Sequence, residues 1–152
     1  MVTGRCGNNK LFGEEQVMTI IQEQMNQFLA SPAFGVVGAS GNRHKFGNKV
    51  LRCYLQNGRT AIPVNPNETE IEGIPCVATI SDLPPNVMSI SMITPPAVTE
   101  KLVPLALEKG IRNIWMQPGA EHSGAVALCR EKGINVISGG SCLLVVLGYH
   151  DH

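Results

Sequence analysis

No charge of one sign predominates in this sequence: twelve Lys and Arg offset twelve Asp and Glu, for a formal net charge of zero. That balance removes any global attraction to nucleic acid or an anionic membrane, so an anion must be held by a local arrangement. No apolar run reaches the roughly 18 residues that a membrane-spanning helix needs. The five cysteines, Cys6, Cys53, Cys76, Cys129 and Cys142, contain no C-x-x-C pair. An odd count at irregular spacing excludes a disulfide framework and a cysteine-based zinc site, and points to reduced thiols in a cytoplasmic protein. The opening "MVTGRCGNNKLFG" lacks the apolar core of a secretory signal, and residues 1–13 read as a flexible terminus. Also missing are a P-loop, a Ser-His-Asp set and a G-x-G-x-x-G fingerprint.

What remains is a chain of 152 residues, 43% hydrophobic and 16% charged, which suits one globular domain with its own core. The apolar positions Val17, Ile20, Ile21, Met25, Phe28 and Leu29 recur at helical spacing over 14–30, and "SP" at 31–32 stops that helix. From there the chain alternates. Short apolar runs at 34–39, 60–66, 87–94, 111–117 and 134–139 read as strands. Amphipathic stretches at 46–58, 95–110 and 121–133 read as helices, two of them closed by Gly58 and Gly110. The segment 68–84 is turn-rich, with room for a small ribbon. "SCLLVVLGYHDH" is either a last short helix or a homodimer contact. Strands and helices in alternation with short connections imply right-handed β-α-β units. The fold class is therefore α/β, a single Rossmann-type domain over 14–152 whose parallel sheet (core 31–138) carries helices on both faces.

In such sheets ligands bind beyond the carboxyl ends of the strands. The loop after the first strand, "GASGNRHKFG", is the most informative. Gly38 permits a sharp turn, Ser40 offers a hydroxyl, and Gly47 permits close approach at the start of the next helix. That helix end presents unpaired N–H groups and a partial positive charge, and Arg43, His44, Lys45 and Lys49 add cations beside it. The alternative is a solvated basic loop without a ligand. NAD-binding versions need a carboxylate at the end of the second strand, where this chain has Asn65 and Pro66; Glu68 is three residues further on. The missing acid shifts weight toward nucleotides with a phosphorylated ribose: coenzyme A, with NADP as the alternative.

These residues resemble the stand-alone CoA-binding domain proteins, which are similar to the N-terminal domain of the succinyl-CoA synthetase α subunit. The matching marks are Gly38-Ala39-Ser40 with Lys45-Phe46-Gly47, "PVNP" at 63–66, "EIEGIPC" at 70–76, "IWMQPGA" at 114–120 and "GINVI" at 133–137. They span Ser31 to Ser138. The resemblance implies CoA or acyl-CoA held across the strand ends. The glycine turn, Lys45 and Gly47 would receive phosphates, and Asn65 and Pro66 would flank the nucleotide. Thr94, Pro95 and Pro96 would form the opposite wall, and Gln117, Pro118 and Gly119 the pantetheine side. The end departs from the family pattern, reading "SGGSCLL" where an acidic or amide residue followed by Arg-Cys is expected.

The synthetase to which the family is similar works through a phosphorylated histidine in a second domain, for which these residues leave no room. His122 reads as a solvated residue of a first helical turn, so no catalytic residue is expected. Cys53 and Cys129 read as core. Cys142 is open to a second reading, as a thiol able to form a disulfide with CoA. "YHDH" has the residue types of a metal site, against which stands its place in a frayed tail. The expected function is non-catalytic binding of CoA or acyl-CoA; the alternatives are an NADP-dependent oxidoreductase and a degenerate interaction domain.

Overall fold

The computed structural model describes the backbone of residues 9–151 and the side chains from residue 19 onward. Helix α1 (Asn9–Leu29) leads into β1 (Ala33–Val37), α2 (Phe46–Gln56) and β2 (Thr60–Val64). A two-stranded ribbon of β3 (Glu70–Ile71) and β4 (Ile74–Pro75) follows, then a 3₁₀ turn (Ile80–Asp82) and β5 (Ser89–Met92). The remainder is α3 (Pro96–Lys109), β6 (Asn113–Met116), α4 (Ser123–Glu131), β7 (Asn135–Ile137) and α5 (Leu143–Leu147). The first helix begins five residues before the periodicity indicates. Residues 1–8 of the expected flexible terminus lie outside the described residues.

Five strands form one parallel sheet in the order β2-β1-β5-β6-β7. From β1 the chain first steps outward to β2, then crosses back to place β5 on the other side of β1. The order thus reverses between β1 and β5, and their carboxyl ends diverge around a crevice. The return crossover carries the ribbon and the 3₁₀ turn where the others carry a helix. The apolar segment 143–147 is a short helix, and its Val145 stays 80% exposed, so the surface that a dimer contact would need remains.

Period-two alternation along each strand divides the core into two layers. Val37, Ile90, Met92, Ile114 and Met116 face α3 and α4. Phe34, Val36, Trp115 and Ile137 face α1, α2 and α5. On that second face Phe28 stacks on Phe34 at 5.3 Å and meets Trp115 edge-on at 5.3 Å, and Phe34 stacks on Tyr54 at 4.7 Å. Each such pair adds about 1 kcal/mol beyond area burial.

The apolar run read at 87–94 contains two serines that the sheet buries completely, and each has a specific partner. Ser91 shares a 2.6 Å hydrogen bond with the Tyr54 hydroxyl, and Ser89 bonds the Ser31 hydroxyl and accepts from Asn113 Nδ2 at 2.9 Å. Burial pushes the Tyr54 phenol well above its ordinary value, so the hydroxyl stays protonated. The four described cysteines are free thiols.

Candidate functional site

Strand β1 ends at Val37, and the chain turns through Gly38 at φ +94°. A Cβ at Gly38 would lie well under 3.0 Å from the Ile93 carbonyl oxygen, because the turn runs hard against the end of β5. At the far side of the loop Gly47 sits in the first turn of α2, and a Cβ there would meet the Gly38 carbonyl oxygen equally closely. Two glycines therefore press strand end and helix start together. No side chain caps that helix end, whose N-cap is Lys45. The Asn48 and Lys49 N–H groups close on the Lys45 carbonyl oxygen, and those of Phe46 and Gly47 are left open to an outside acceptor, reinforced by the helix dipole.

The loop between the glycines is braced from inside and below. Ser40 Oγ accepts the Asn42 N–H at 3.0 Å, and Asn42 Oδ1 accepts the His44 N–H at 3.0 Å. Asn48 Nδ2 donates to the Ser40 carbonyl at 2.8 Å, and Asn65 Nδ2 donates to the Ala39 carbonyl at 2.8 Å. Asn65 also accepts the Asn67 N–H at 2.7 Å, so its side chain is committed to loop and turn. The basic residues separate into roles. Arg43 pairs with Glu72 at the ribbon tip at 3.2 Å, and Lys49 with Asp151 at 3.4 Å. The exposed Lys45, among the described residues, has no ion-pair partner.

Two hollows follow the strand ends. One, of about 390 Å³, is floored by Gly38, Ala39, Ser40 and Gly47 and walled by Lys45, Phe46, Asn65 and Ile93. The other, of about 230 Å³, lies between Thr94-Pro95 and Pro118-Gly119-Ala120. Phe46 and Ile93 line both, so the hollows adjoin around these two side chains. The first is bounded by loop backbone and a cation; the second is largely apolar. A ligand with a phosphorylated head and a long, weakly polar arm matches that division.

Of the residues singled out in the sequence, Gly38, Ala39, Ser40, Lys45, Phe46, Gly47 and Asn65 line the first hollow, and Thr94, Pro95, Pro118 and Gly119 the second. Pro96 is the first residue of α3 and Pro66 is exposed past the end of β2; neither lines a hollow. Arg43 is turned to Glu72. Gln117 is fully buried and its Oε1 accepts the Leu143 N–H at 2.9 Å, so it braces α5. Thr94 shares its hydroxyl with Thr99 at 2.6 Å. Ile93 and Ala120 went unnoticed; the only sequence signal for them is adjacency to the Thr94 turn and to Gly119. Glu68, three residues beyond Asn65 at the end of β2, reaches back to the loop. Its Oε2 would stand 2.6 Å from a Cβ at Gly41.

The other chemical candidates are also placed. His122 is the N-cap of α4, a firmer role than a solvated first-turn residue: Nδ1 accepts the Ala125 N–H at 3.1 Å, and Nε2 lies 3.7 Å from Glu100. One ring nitrogen is thus committed to the helix start, and the other faces a carboxylate. "YHDH" is not frayed over residues 149–151, which lie along α2; His152 lies outside the described residues. Among the described residues no three His, Cys, Asp or Glu side chains are grouped to hold a metal. A hydrogen bond from Tyr149, aided by Arg52 and Lys49, holds the Asp151 carboxyl below its ordinary 3.8. A depressed pKa means these contacts are present above that value and lost only as pH falls below it.

Burial pushes the Cys53 and Cys129 thiols up to about 11, whereas Cys142 is half-buried at the start of α5. Iodoacetamide at pH 8 is expected to modify Cys142 in the folded protein and to spare Cys53 and Cys129 until it unfolds. Peptide mass spectrometry reads the order. Early modification of Cys53 would mean that α5 opens from α2.

A five-stranded parallel sheet with its crevice at the strand-order reversal defines the chain as a Rossmann-type α/β domain. Residues 33–148 match the profile of the CoA binding domain family, and the chain belongs to that family. A conserved hypothetical protein from Pyrococcus furiosus is 36% identical, with a TM-score of 0.72 over 75% of this chain and 97% of its own. An ADP-forming acetate–CoA ligase from Archaeoglobus fulgidus is 34% identical over 85 residues, 56% of this chain but 12% of the ligase. A dinucleotide-forming acetyl-coenzyme A synthetase from Ca. Korarchaeum cryptofilum, solved with phosphate and ADP, matches at 25% identity and a TM-score of 0.63. That match covers 70% of this chain and 25% of the synthetase chain. This chain thus spans a small part of the ligase and synthetase. Among the described residues no helix is long and apolar enough to cross a membrane.

Proposed function

We propose that the protein binds coenzyme A, free or acylated, across the two adjoining hollows, and that it is a binder with no chemistry of its own. The observation that carries this is the pairing of an open helix start under unpaired Lys45 with an apolar hollow on the far side of Phe46 and Ile93. The diphosphate would lie on the Gly38–Gly47 loop, where backbone N–H groups and one ammonium supply the contacts. The pantetheine arm would pass Phe46 toward Pro95 and Gly119. Family membership supports the ligand class. The commitment of His122 to the α4 cap supports binding over catalysis.

Calorimetric titration with CoA is the direct test, and the expected result is saturable one-to-one binding. No heat of binding up to millimolar CoA would remove the proposal. The NADP reading is separated by melting curves. A CoA excess about 100-fold over Kd stabilises by about 2.7 kcal/mol, which for a chain of this size raises Tm by about 5 to 10 °C. NADP at the same concentration is expected to shift it less. A larger shift with NADP would favour a dinucleotide. Glu68 beside Gly41 does not separate the two, because both carry a ribose phosphate that this carboxylate would repel at close range.

A further inference from the structure

Arg52 is the only charged side chain the domain buries among the described residues, with its side chain 6% exposed. Every edge of its guanidinium has a partner. Nε donates to Asn48 Oδ1 at 2.6 Å, and Nη2 to the Arg43 carbonyl oxygen at 2.8 Å. Nη1 donates to Asp151 Oδ1 at 3.3 Å, and the group lies 5.4 Å above the centre of the Tyr149 ring. Asn48, also fully buried, passes the contact on: its Nδ2 donates to the Ser40 carbonyl and, at 3.1 Å, to Glu72 Oε2. Ser40 and Arg43 belong to the loop that lines the first hollow. Arg52 and Asn48 therefore hold that loop from behind by two of its carbonyl groups.

The counter-ion of this buried cation comes from 99 residues away, on the segment 149–151. That segment is strapped along α2. Gln56 Nε2 donates to the His150 carbonyl at 2.6 Å, and the His150 N–H donates to Gln56 Oε1 at 3.0 Å. The Tyr149 hydroxyl donates to Asp151 Oδ1 at 3.0 Å, and Lys49 pairs with the same carboxylate. A buried guanidinium without its carboxylate must find another acceptor or draw in water, and either change alters the bonds it makes to Asn48 and Arg43.

We infer that the 149–151 strap is a positioning element of the phosphate loop, acting through Arg52, so that Asp151 sets ligand affinity without touching the ligand. This rests on the CoA reading above and adds a determinant outside both hollows. Arg52 and Asn48 are the positioning residues, and their carbonyl contacts keep the loop's shape ready for the diphosphate.

The test uses Asp151→Asn, Asp151→Glu and Arg52→Lys in the full chain. In Asp151→Asn, amide NMR signals of Ser40, Asn42, His44 and Lys45 are expected to move without ligand, and CoA affinity to fall about threefold to tenfold. Asp151→Glu keeps the charge and is expected to recover most of the affinity. Arg52→Lys keeps the cation but gathers its donors on one nitrogen, too compact to span the acceptors that Nε, Nη1 and Nη2 reach, and is expected to behave like Asp151→Asn or worse. A strap that merely added stability would lower Tm and leave loop signals and Kd unchanged, which would overturn the inference. If the wild-type chain fails to bind CoA, the ligand reading falls. The loop amides of Asp151→Asn then decide the coupling on their own, and unmoved signals would overturn it.

Discussion

Gly47→Ala is expected to lower stability by about 3 kcal/mol and to abolish measurable CoA binding. Two effects oppose each other at this position. Alanine in the first turn of a helix gains about 1 kcal/mol in intrinsic propensity over glycine. Against it, the new methyl would fall well under 3.0 Å from the Gly38 carbonyl oxygen, a backbone atom that a rotamer change cannot move. Relief requires the start of α2 to shift from the end of β1. Gly38 has little room to yield in turn, since the Ile93 carbonyl stands where its Cβ would be. The overlap therefore outweighs the propensity gain, and the displaced part is the first turn whose N–H groups would meet the diphosphate. Thermal melting and calorimetry check the two halves. A variant with wild-type Tm and affinity would show that helix and strand tolerate wider spacing than the structure has.

Lys45→Glu is expected to weaken CoA binding at least about tenfold while leaving stability unchanged or slightly raised. Lys45 is exposed and has no side-chain capping bond, so folding loses little with it. A carboxylate at a helix start interacts favourably with the dipole, by roughly 0.5 kcal/mol. The ligand meets the opposite effect, because an ammonium facing its phosphates becomes an anion. The separation between Tm and Kd is the signature, and raising the salt should narrow the affinity difference. Unchanged affinity would place the phosphates elsewhere in the cleft.

The loop that both variants address was the most legible part of the sequence. Gly38 and Gly47 are readable because glycine after an apolar run, and again at a helix start, has few other physical uses. The helix and strand patterns were equally plain, since each helix buries one face and the central strands are buried on both. The ribbon at 70–75 was legible only as a turn-rich gap, and its consequence was hidden: Glu72 at its tip takes Arg43, 29 residues away in sequence. Gln117 was misleading for a related reason. Period-two alternation puts it on the same face as Trp115, where its Oε1 takes the Leu143 N–H at the start of α5. Whether α5 covers that face depends on how residues 143–147 pack, and apolar composition alone left helix and dimer contact equally open.

By itself, then, the sequence determined the parallel α/β sheet and the strand–turn–helix loop with its two close-packed glycines. Those features depend on backbone periodicity and on residue types confined to neighbouring positions. Tertiary structure alone decided which cations stay unpaired. Arg43 and Lys49 look as available as Lys45 until Glu72 and Asp151 arrive from distant segments. The same holds for Arg52, which reads as one more residue of an amphipathic helix until the 149–151 strap buries it. Charge pairing is set by contacts distant along the chain, and no local pattern encodes them.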